Sequence, residues 1–426
     1  MGYFTRRSFV KVGSLSTFGF LGLGDVLRMQ AQSPAPVRKD ISIIHLWLTG
    51  GVSHLDTWDP KPEADARYRS PFDALETKAS GMRISAELPK IAAQANKFVI
   101  IRSLTHKQAA HEAAKNMVQS GHNPLPTIQF PSVQTVVAKE LGKPGELPPV
   151  IAIPGASGSW DKAGFLGTQY NPFDVGSPNV ENYKVRDLDL PMGVDWSRVD
   201  RRRSLLSLVD EKFRKMDTSG ILENMDAYYQ MAFQLMHSEK AKKAFRIEEE
   251  PEALRDKYGR TSLGQGSLLA RRMIEAGARF VTVSSGNWDH HRDIFPALKN
   301  DFLPELDRAY SSLLEDLQER GMLDTTLVIV SSEFGRTPEI NHMAGRDHWP
   351  SCFSVVLAGA GITGGRVWGS SDEKGMFVRD NPVQVPDFIA SIYKKLGIDY
   401  QKEYMSNIGR PVKLTDDGKP LEFLMV

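Results

Sequence analysis

The stretch at 325–330 places the strongest constraint on what this chain can fold into. It contains only threonine, leucine, valine and isoleucine, with no charge. Such a run is typical of a strand that is buried on both faces of a parallel sheet. Polar residues follow at once, from Ser331 to Thr337. Because open α/β sheets bind ligands just beyond the carboxyl ends of their strands, these polar residues are candidates for a functional site.

Apolar runs and amphipathic segments alternate along the rest of the chain. The apolar runs predict strands at 41–48, 97–102, 149–153, 279–284 and 353–358. The segments with helical periodicity predict helices at 107–120, 133–141, 261–277, 304–320 and 384–396. The alternation predicts an α/β fold with a central, mostly parallel sheet and helices on both faces.

The bulk composition excludes several classes of protein. The chain has 426 residues and a net charge of +1, which gives no field to attract nucleic acid or an anionic membrane. Cys352 is the single cysteine, so an intramolecular disulfide and a cysteine-based metal cage are both excluded.

The N-terminal segment has the pattern of a twin-arginine export signal. Arg6 and Arg7 precede an apolar, glycine-rich run at 12–27, which is too short for a membrane span. We therefore expect residues 1–36 to be a signal peptide with a short linker, and the protein to be periplasmic or extracellular. Residues 37–426 are then expected to form one domain, with a long loop at 155–200 and a helical insertion at 201–260.

Acids and imidazoles follow four of the predicted strands. In a parallel sheet these strand ends share one edge, where their side chains can converge. Carboxylate and imidazole ligands without thiolate suit Zn²⁺ or Mn²⁺, and a larger share of carboxylate suits Mg²⁺ or Ca²⁺. Each residue also has a structural interpretation, as a capping acid or a hydrogen-bonded loop histidine. The candidates are His54, Asp56 and Asp59; His106 and His111; Asp289, His290 and His291; and Glu333, His342, Asp347 and His348.

Four motifs together resemble a known bacterial family. They are GGVSHLDTWDPKP at 50–62, GNWDHH at 286–291, SSEFGRTP at 331–338 and GRDHWP at 345–350. The family is exported and catalogued as domain of unknown function fifteen-oh-one, within the alkaline phosphatase and sulfatase superfamily. The resemblance implies one alkaline-phosphatase-like domain with one or two divalent metals, and hydrolysis of phosphate or sulfate esters.

The resemblance also implies a set of metal ligands. Asp289 and His291 resemble the middle acid–histidine pair, and His348 resembles the late metal histidine. Glu333 stands where relatives have aspartate, and Phe334 beside it cannot coordinate a metal. Thr49 replaces the aspartate that ends the first strand in relatives, so His54 or Asp56 would have to supply that ligand.

The catalytic residues implied by the resemblance depart further from the superfamily. His111 holds the place of the nucleophile, where it is expected to act as nucleophile or general acid. Lys115 stands where the superfamily has an arginine, four residues after the nucleophile. Arg336 and Arg346 are expected to help Lys115 neutralise the ester oxygens. A histidine cannot become the formylglycine of sulfatases.

Two functions remain open on these grounds. The first is metal-dependent hydrolysis of a phosphate or sulfate ester. The second is a catalytically inactive exported protein that uses the same fold to bind a glycan or an assembly partner. Neither involves nucleic acid or an integral membrane span in the mature chain.

Overall fold

A nine-stranded mixed sheet forms the centre of the fold. The computed structural model describes residues 41–425, apart from 143–146, 156–157, 187, 189–194, 203 and 205–232. The predicted signal peptide and much of the predicted helical insertion lie outside this described part. The described residues belong to one compact unit, Asp40–Val426.

The strands of this sheet are close to the apolar runs in the sequence. In chain order they are β1 (Ser42–Leu48), β2 (Phe98–Thr105), β3 (Val150–Ile153), β4 (Phe173–Asp174), β5 (Phe280–Ser285), β6 (Thr326–Ser331), β7 (Phe353–Gly359), β8 (Arg366–Trp368) and β9 (Val383–Gln384). Their order across the sheet is β8-β2-β7-β6-β1-β5-β3-β4, and β9 pairs with β2.

Strand direction brings the predicted polar strand ends to one edge. The strands β6, β1, β5 and β3 are parallel neighbours. The strand β7 runs antiparallel to both β6 and β2, so β2 has the same direction as β6. The carboxyl ends of β1, β2, β5 and β6 therefore lie on the same edge of a sheet that is mostly parallel, as the sequence predicts.

Helices cover both faces of the sheet. They are α1 (Pro89–Ala92), α2 (His111–Ser120), α3 (Val133–Leu141), α4 (Glu239–Phe245), α5 (Glu252–Tyr258), α6 (Ser262–Glu275), α7 (Ile294–Ala297), α8 (Leu303–Glu319) and α9 (Val385–Leu396). Ile44, Leu46 and Leu48 of β1 belong to the core cluster that contains α6 and α8. Ile43 and Trp47 belong to the cluster that contains α3 and α9. Because successive side chains point to opposite faces, β1 has to be apolar throughout.

Short ribbons and single turns lie between these elements. Two-stranded antiparallel ribbons form between Ala74–Glu76 and Arg83–Ser85, Gly335–Arg336 and His348–Trp349, Ser370–Ser371 and Val378–Asp380, and Glu403–Met405 and Pro411–Lys413. One-turn 3₁₀ segments lie at Ala95–Lys97, Ser159–Asp161, Gly164–Leu166, Thr168–Tyr170, Ile247–Glu249, Leu323–Thr325 and Glu422–Leu424, and a π-helical turn at Leu298–Phe302 joins α7 to α8.

The described part of the predicted loop at 155–200 is packed onto the domain. Trp160 is buried and its ring lies 5.8 Å from that of Trp47 on β1. Asp161 is also buried, and it accepts a hydrogen bond from Gln134 of α3. None of the described helices combines the length and the apolar character that crossing a membrane requires.

Candidate metal centre

Two glycines after β1 make room for the centre. Gly50 has a φ of +123°, and a Cβ on it would lie 2.6 Å from the backbone nitrogen of Asp289. Gly51 has a φ of +97°, and a Cβ there would lie 2.6 Å from the ring of Phe334. Only glycine combines these φ values with such close contacts. The turn therefore allows the segments after β5 and β6 to pack tightly against the end of β1.

Glu333 lies directly beyond β6, with no exposed surface. Its Oε1 atom accepts a hydrogen bond of 2.9 Å from the backbone N–H of Gly50. The same atom lies 2.8 Å from Nδ1 of His111. The ring of His106 donates to the Glu333 carbonyl over 2.7 Å. Contacts from the segments after β1 and β2 thus fix this carboxylate, and His106 holds its backbone.

His291 and His348 are both held through their Nδ1 atoms. Nδ1 of His348 lies 2.8 Å from the carbonyl oxygen of Ala109, which can only accept a hydrogen bond. Nδ1 of His291 lies 2.5 Å from Oδ1 of Asp347. Each neutral ring therefore carries its proton on Nδ1 and has a lone pair on Nε2. Metal-binding histidines in proteins are usually oriented in this way.

The two Nε2 atoms meet at one oxygen of Asp289. They lie 3.0 Å apart. Oδ1 of Asp289 lies 3.0 Å from Nε2 of His291 and 3.1 Å from Nε2 of His348. Partial burial lowers the pKa of His348, which favours the neutral ring. Three electron-pair donors that cannot hydrogen-bond to one another therefore face the same point.

A small divalent cation fits this arrangement. Tetrahedral Zn²⁺ with ligands at about 2.0–2.1 Å sets those ligands about 3.4 Å apart, close to the distances seen here. The two nitrogens and one oxygen are donors that Zn²⁺, Mn²⁺ and Fe²⁺ accept. A ligand atom of His111 also lies within 4.8 Å of those of Asp289 and His348, so His111 is a further candidate ligand.

His111 begins helix α2 and bridges two carboxylates. Its Nδ1 contacts Glu333, and its Nε2 lies 3.2 Å from Oδ2 of Asp289. The hydrogen bond to Glu333 raises the pKa of His111, against the lowering effect of partial burial. Its ring centroid lies 5.1 Å from that of Phe334, which stacks on His348 at 4.5 Å. Phe334 therefore fixes the positions of both imidazoles.

Arg336 is fully buried and orients Asp289. Its guanidinium donates to that carboxylate and to the carbonyl oxygens of Gly50, Gly51, Trp288 and Arg346. Burial acts to raise the pKa of Asp289, but Arg336, His348 and His111 outweigh it and hold that pKa well below its ordinary range. The carboxylate therefore stays ionised.

Three of the predicted site residues lie outside this centre. Asp56 forms an ion pair of 2.8 Å with Arg346, and neither side chain has any exposed surface. Arg346 also donates to the carbonyls of Thr337, Pro338 and Tyr68. The ring of His54 is buried, with Nε2 bonded to the carbonyl of Gly375. Because their polar atoms are directed at the surrounding protein, these residues hold loops together and do not reach the cluster.

The other candidates that follow strands either have partners elsewhere or make no contact with the centre. Asp59 is buried in contact with Arg102 and Lys61. The ring of His290 packs edge-on against Phe302 at 4.7 Å. His342 is exposed. Lys115 lies one helical turn after His111, with its ammonium 5.6 Å from the centroid of Trp160 and 3.7 Å from Glu112.

The sequence analysis listed Asp347 only as a candidate metal ligand and not as the residue that orients His291. It gave no role to the carbonyl of Ala109, the N–H of Gly50 and the ring of Phe334, which also shape the centre. A signal for Asp347 exists in the sequence, because it directly precedes a candidate metal histidine and carboxylates commonly orient such rings. Backbone groups leave no such signal, since every residue has them.

Comparison with solved structures gives only remote similarity. A phosphonate monoester hydrolase from Silicibacter pomeroyi shares 10% identity at a TM-score of 0.40, over 90% of this chain and 76% of that chain. The PsFucS1 sulfatase from Pseudoalteromonas sp. shares 13% identity at a TM-score of 0.34, over 88% and 70%. An alkaline phosphatase superfamily protein from Vibrio parahaemolyticus shares 9% identity at a TM-score of 0.39, over 84% and 67%.

Comparison by sequence identifies the family. No curated protein matches this chain. One family does match, over residues 40–425, which is nearly the whole described part of the chain. The resemblance drawn from the four motifs is thereby confirmed, and the chain belongs to the family described as protein of unknown function (DUF1501).

Proposed function

We propose that this protein is an exported, metal-dependent hydrolase of phosphate or sulfate esters. Asp289, His291 and His348 would hold the cation. The observation that carries the proposal is the convergence of two Nε2 lone pairs on one carboxylate oxygen. A bound divalent cation would act there as a Lewis acid and lower the pKa of a water molecule.

The start of helix α2 supports an anionic substrate. Its N-cap residue, Ala110, has no side-chain hydrogen-bond acceptor for the first turn. The N–H groups of that turn and the helix dipole favour negative charge at this end. Because His111 is the first residue of the helix, an ester bound at the metal centre is close to these N–H groups.

The geometry favours general acid catalysis by His111 over nucleophilic attack. A nucleophilic imidazole needs a free lone pair, but both nitrogens of His111 face carboxylates. A ring that carries a proton on each nitrogen satisfies both contacts. His111 is therefore placed to hold a proton beside the ester and to give it to the leaving oxygen.

The same contacts also favour a second candidate function. No serine, threonine or cysteine occupies position 111, and the imidazole that does is engaged on both sides. A protein that binds an anionic glycan or an assembly partner at this cation without turnover is consistent with that arrangement. Turnover of simple esters separates the two functions.

Metal analysis tests the proposal. Purified protein is compared with an Asp289→Asn/His348→Ala double variant, and His342→Ala serves as the matched control because His342 is exposed. We expect about one metal ion per chain in the wild type and the control, and its loss from the double variant. Equal metal content in all three proteins would contradict the proposed site. Hydrolysis of nitrophenyl phosphates and sulfates by the loaded protein then supports the enzyme, and its absence supports the binding protein.

Export is a separate part of the proposal, and it rests on the twin-arginine pattern at Arg6 and Arg7. An Arg6→Lys/Arg7→Lys variant of the full chain tests it by cell fractionation. We expect the wild type outside the cytoplasm and the variant inside it. Equal distribution of both proteins would contradict export by this route.

A further inference from the structure

We infer that Glu333 positions the ring of His111 and does not itself bind the metal. Its carboxylate holds the Nδ1 side of that ring, so that the Nε2 side faces the metal centre. The inference rests on the proposed function and deepens it, because it assigns a positioning residue to the proposed general acid. It also departs from the family resemblance, which implies that Glu333 is a metal ligand.

One oxygen of Glu333 already has its full set of partners. Oε1 accepts a hydrogen bond of 2.9 Å from the backbone N–H of Gly50 and lies 2.8 Å from Nδ1 of His111. A carboxylate oxygen has about two lone-pair sites, so these two donors occupy both of them. A cation at Oε1 would have to displace one of these contacts.

The other oxygen of Glu333 lacks the neighbours that a cation requires. Oε2 and the hydroxyl oxygen of Thr49 have no hydrogen-bond partner among the described residues. The side chain of Phe334 has no metal-binding atom, and its ring packs against His111 and His348 with centroid distances of 5.1 and 4.5 Å. A catalytic Zn²⁺ usually has three protein ligands, which two oxygens do not supply. These surroundings favour a hydrogen-bonding role for Glu333.

Hydrogen bonds on both sides of Glu333 fix its backbone. The hydroxyl of Ser332 donates to the carbonyl oxygen of Phe334 over 2.7 Å. Burial lowers the pKa of His106 to about 4, so that ring is neutral. Its Nδ1 accepts from the backbone N–H of Gln108, which leaves the proton on Nε2 to donate to the Glu333 carbonyl over 2.7 Å. The carboxylate is therefore anchored independently of the ring that it holds.

The second nitrogen of His111 faces the metal centre. Its Nε2 lies 3.2 Å from Oδ2 of Asp289. The other oxygen of that carboxylate, Oδ1, is the one that the Nε2 atoms of His291 and His348 approach. Because an ionised carboxylate can only accept hydrogen bonds, Glu333 keeps a proton on Nδ1 of His111 and turns Nε2 towards an ester at the cation. A buried acid orients the catalytic histidine of serine hydrolases in the same way.

Glu333→Gln and Glu333→Ala separate positioning from metal binding. The amide oxygen of glutamine can still accept from Gly50 and from Nδ1 of His111, whereas alanine removes the acceptor. An amide is a poor substitute for a carboxylate as a ligand of Zn²⁺, which proteins bind through cysteine, histidine, aspartate and glutamate. Glu112→Ala is the matched control, since Glu112 is next to His111 but its side chain is 68% exposed.

Zinc content and chelator competition measure whether Glu333 binds the metal. We expect one zinc ion per chain in the wild type and in all three variants, and the same zinc affinity in the wild type and Glu333→Gln. A loss of affinity of about 10-fold or more in Glu333→Gln would overturn the inference, since disturbing a metal ligand costs that much. A second zinc ion that is present in the wild type and absent from Glu333→Gln would also overturn it.

Heteronuclear NMR of zinc-loaded protein with isotope-labelled histidine measures the ring itself. The Nδ1 signal of His111, assigned with His111→Ala, is expected to show a bound proton in the wild type, Glu333→Gln and Glu112→Ala. In Glu333→Ala the ring has lost its acceptor at Nδ1, so the signal should move towards the average of the two tautomers. An unchanged signal in Glu333→Ala would overturn the inference, whether or not the protein hydrolyses any ester.

The leaving group provides a kinetic test that a purely structural role would not affect. Phenoxide is a poorer leaving group than nitrophenoxide, so it depends more on a proton from the general acid. We expect Glu333→Ala to lower kcat for phenyl phosphate or phenyl sulfate by about 100-fold with little change in KM, and to affect the nitrophenyl esters much less. Glu333→Gln should recover most of that loss.

The kinetic outcomes keep the two proposals apart. Equal losses for both leaving groups would contradict the positioning of a general acid and leave the metal-dependent hydrolase intact. Absence of turnover in the zinc-loaded wild type would overturn the hydrolase alone, because the zinc and ring measurements still decide the role of Glu333.

Discussion

The Nε2 atoms of His291 and His348 lie 3.0 Å apart, and Oδ1 of Asp289 lies within 3.1 Å of both. The two histidines are 57 positions apart in the chain, yet each ring is fixed from behind by a hydrogen-bond acceptor. Asp347 fixes one, and the carbonyl of Ala109 fixes the other. Both lone pairs therefore point at the same place before any cation arrives.

The orienting contact of Asp347 is open to direct test. An Asp347→Asn substitution removes the charge that holds the His291 tautomer, so we expect metal affinity to fall by about 10–100-fold. Competition with a chromophoric chelator measures the change. Asp301→Asn is the control, because Asp301 is an exposed acid elsewhere on the surface. An unchanged affinity for the Asp347 variant would contradict the role of its charge in orienting His291.

The close approach of Gly50 to Asp289 predicts that this glycine cannot be replaced. In Gly50→Ala the new Cβ collides with the backbone of Asp289 and Trp288, and the φ of +123° is unfavourable for alanine. We expect a loss of about 2–5 kcal/mol in unfolding free energy, together with weaker metal binding.

Gly81 provides the comparison for that variant. It has a φ of +76°, but a Cβ there would meet no atom within 4 Å. Gly81→Ala should therefore lose only about 1–2 kcal/mol and keep its metal affinity. Urea denaturation measures the unfolding free energy, and chelator competition measures the metal affinity. Equal losses of unfolding free energy in the two variants would contradict the role of the close contact between Gly50 and Asp289.

The buried pair of Asp56 and Arg346 is expected to matter for folding and not for chemistry. Asp56→Asn leaves the Arg346 charge without its partner, so the unfolding free energy should fall by about 3–5 kcal/mol. Metal content per folded chain should stay the same. The exposed pair of Arg67 and Asp65 offers a contrast, since Asp65→Asn should leave the unfolding free energy nearly unchanged. Loss of metal from folded Asp56→Asn protein would show that Asp56 acts in the site.

Asp161 is expected to make stability depend on pH. Burial raises the pKa of Asp161 to about 7, and Asp174 adds to that increase. Its Oδ2 atom has no hydrogen-bond partner among the described residues. For an acid whose pKa is raised by folding, the folded state favours the protonated form. Stability is therefore fully present below the ordinary pKa and is lost as the pH rises towards 7.

Urea denaturation of wild type and Asp161→Asn at pH 5 and pH 8 checks this prediction. The wild type should lose on the order of 2 kcal/mol relative to the variant between these two pH values. The amide oxygen of the variant can still accept the hydrogen bond from Gln134. Parallel pH dependence in the two proteins would mean that the Asp161 carboxyl does not titrate in this range.

Some of this protein could be predicted from the sequence alone because the information is local. Apolar runs rich in β-branched residues favour strands buried on both faces, and they predicted the central strands to within a few residues. Polar residues directly after those strands predicted that Asp289, His291, Glu333 and His348 lie at one edge of the sheet. The four motifs were sufficient to identify the family.

The tertiary structure decided which of these residues meet and what each one contacts. Arg336 and Arg346 look alike in the sequence, yet one orients Asp289 and the other is paired with Asp56, 290 positions away. His54 and His111 both follow strands, but only His111 reaches the carboxylates. Burial, tautomer and charge pairing depend on neighbours that are far apart in the chain, so no local pattern carries them.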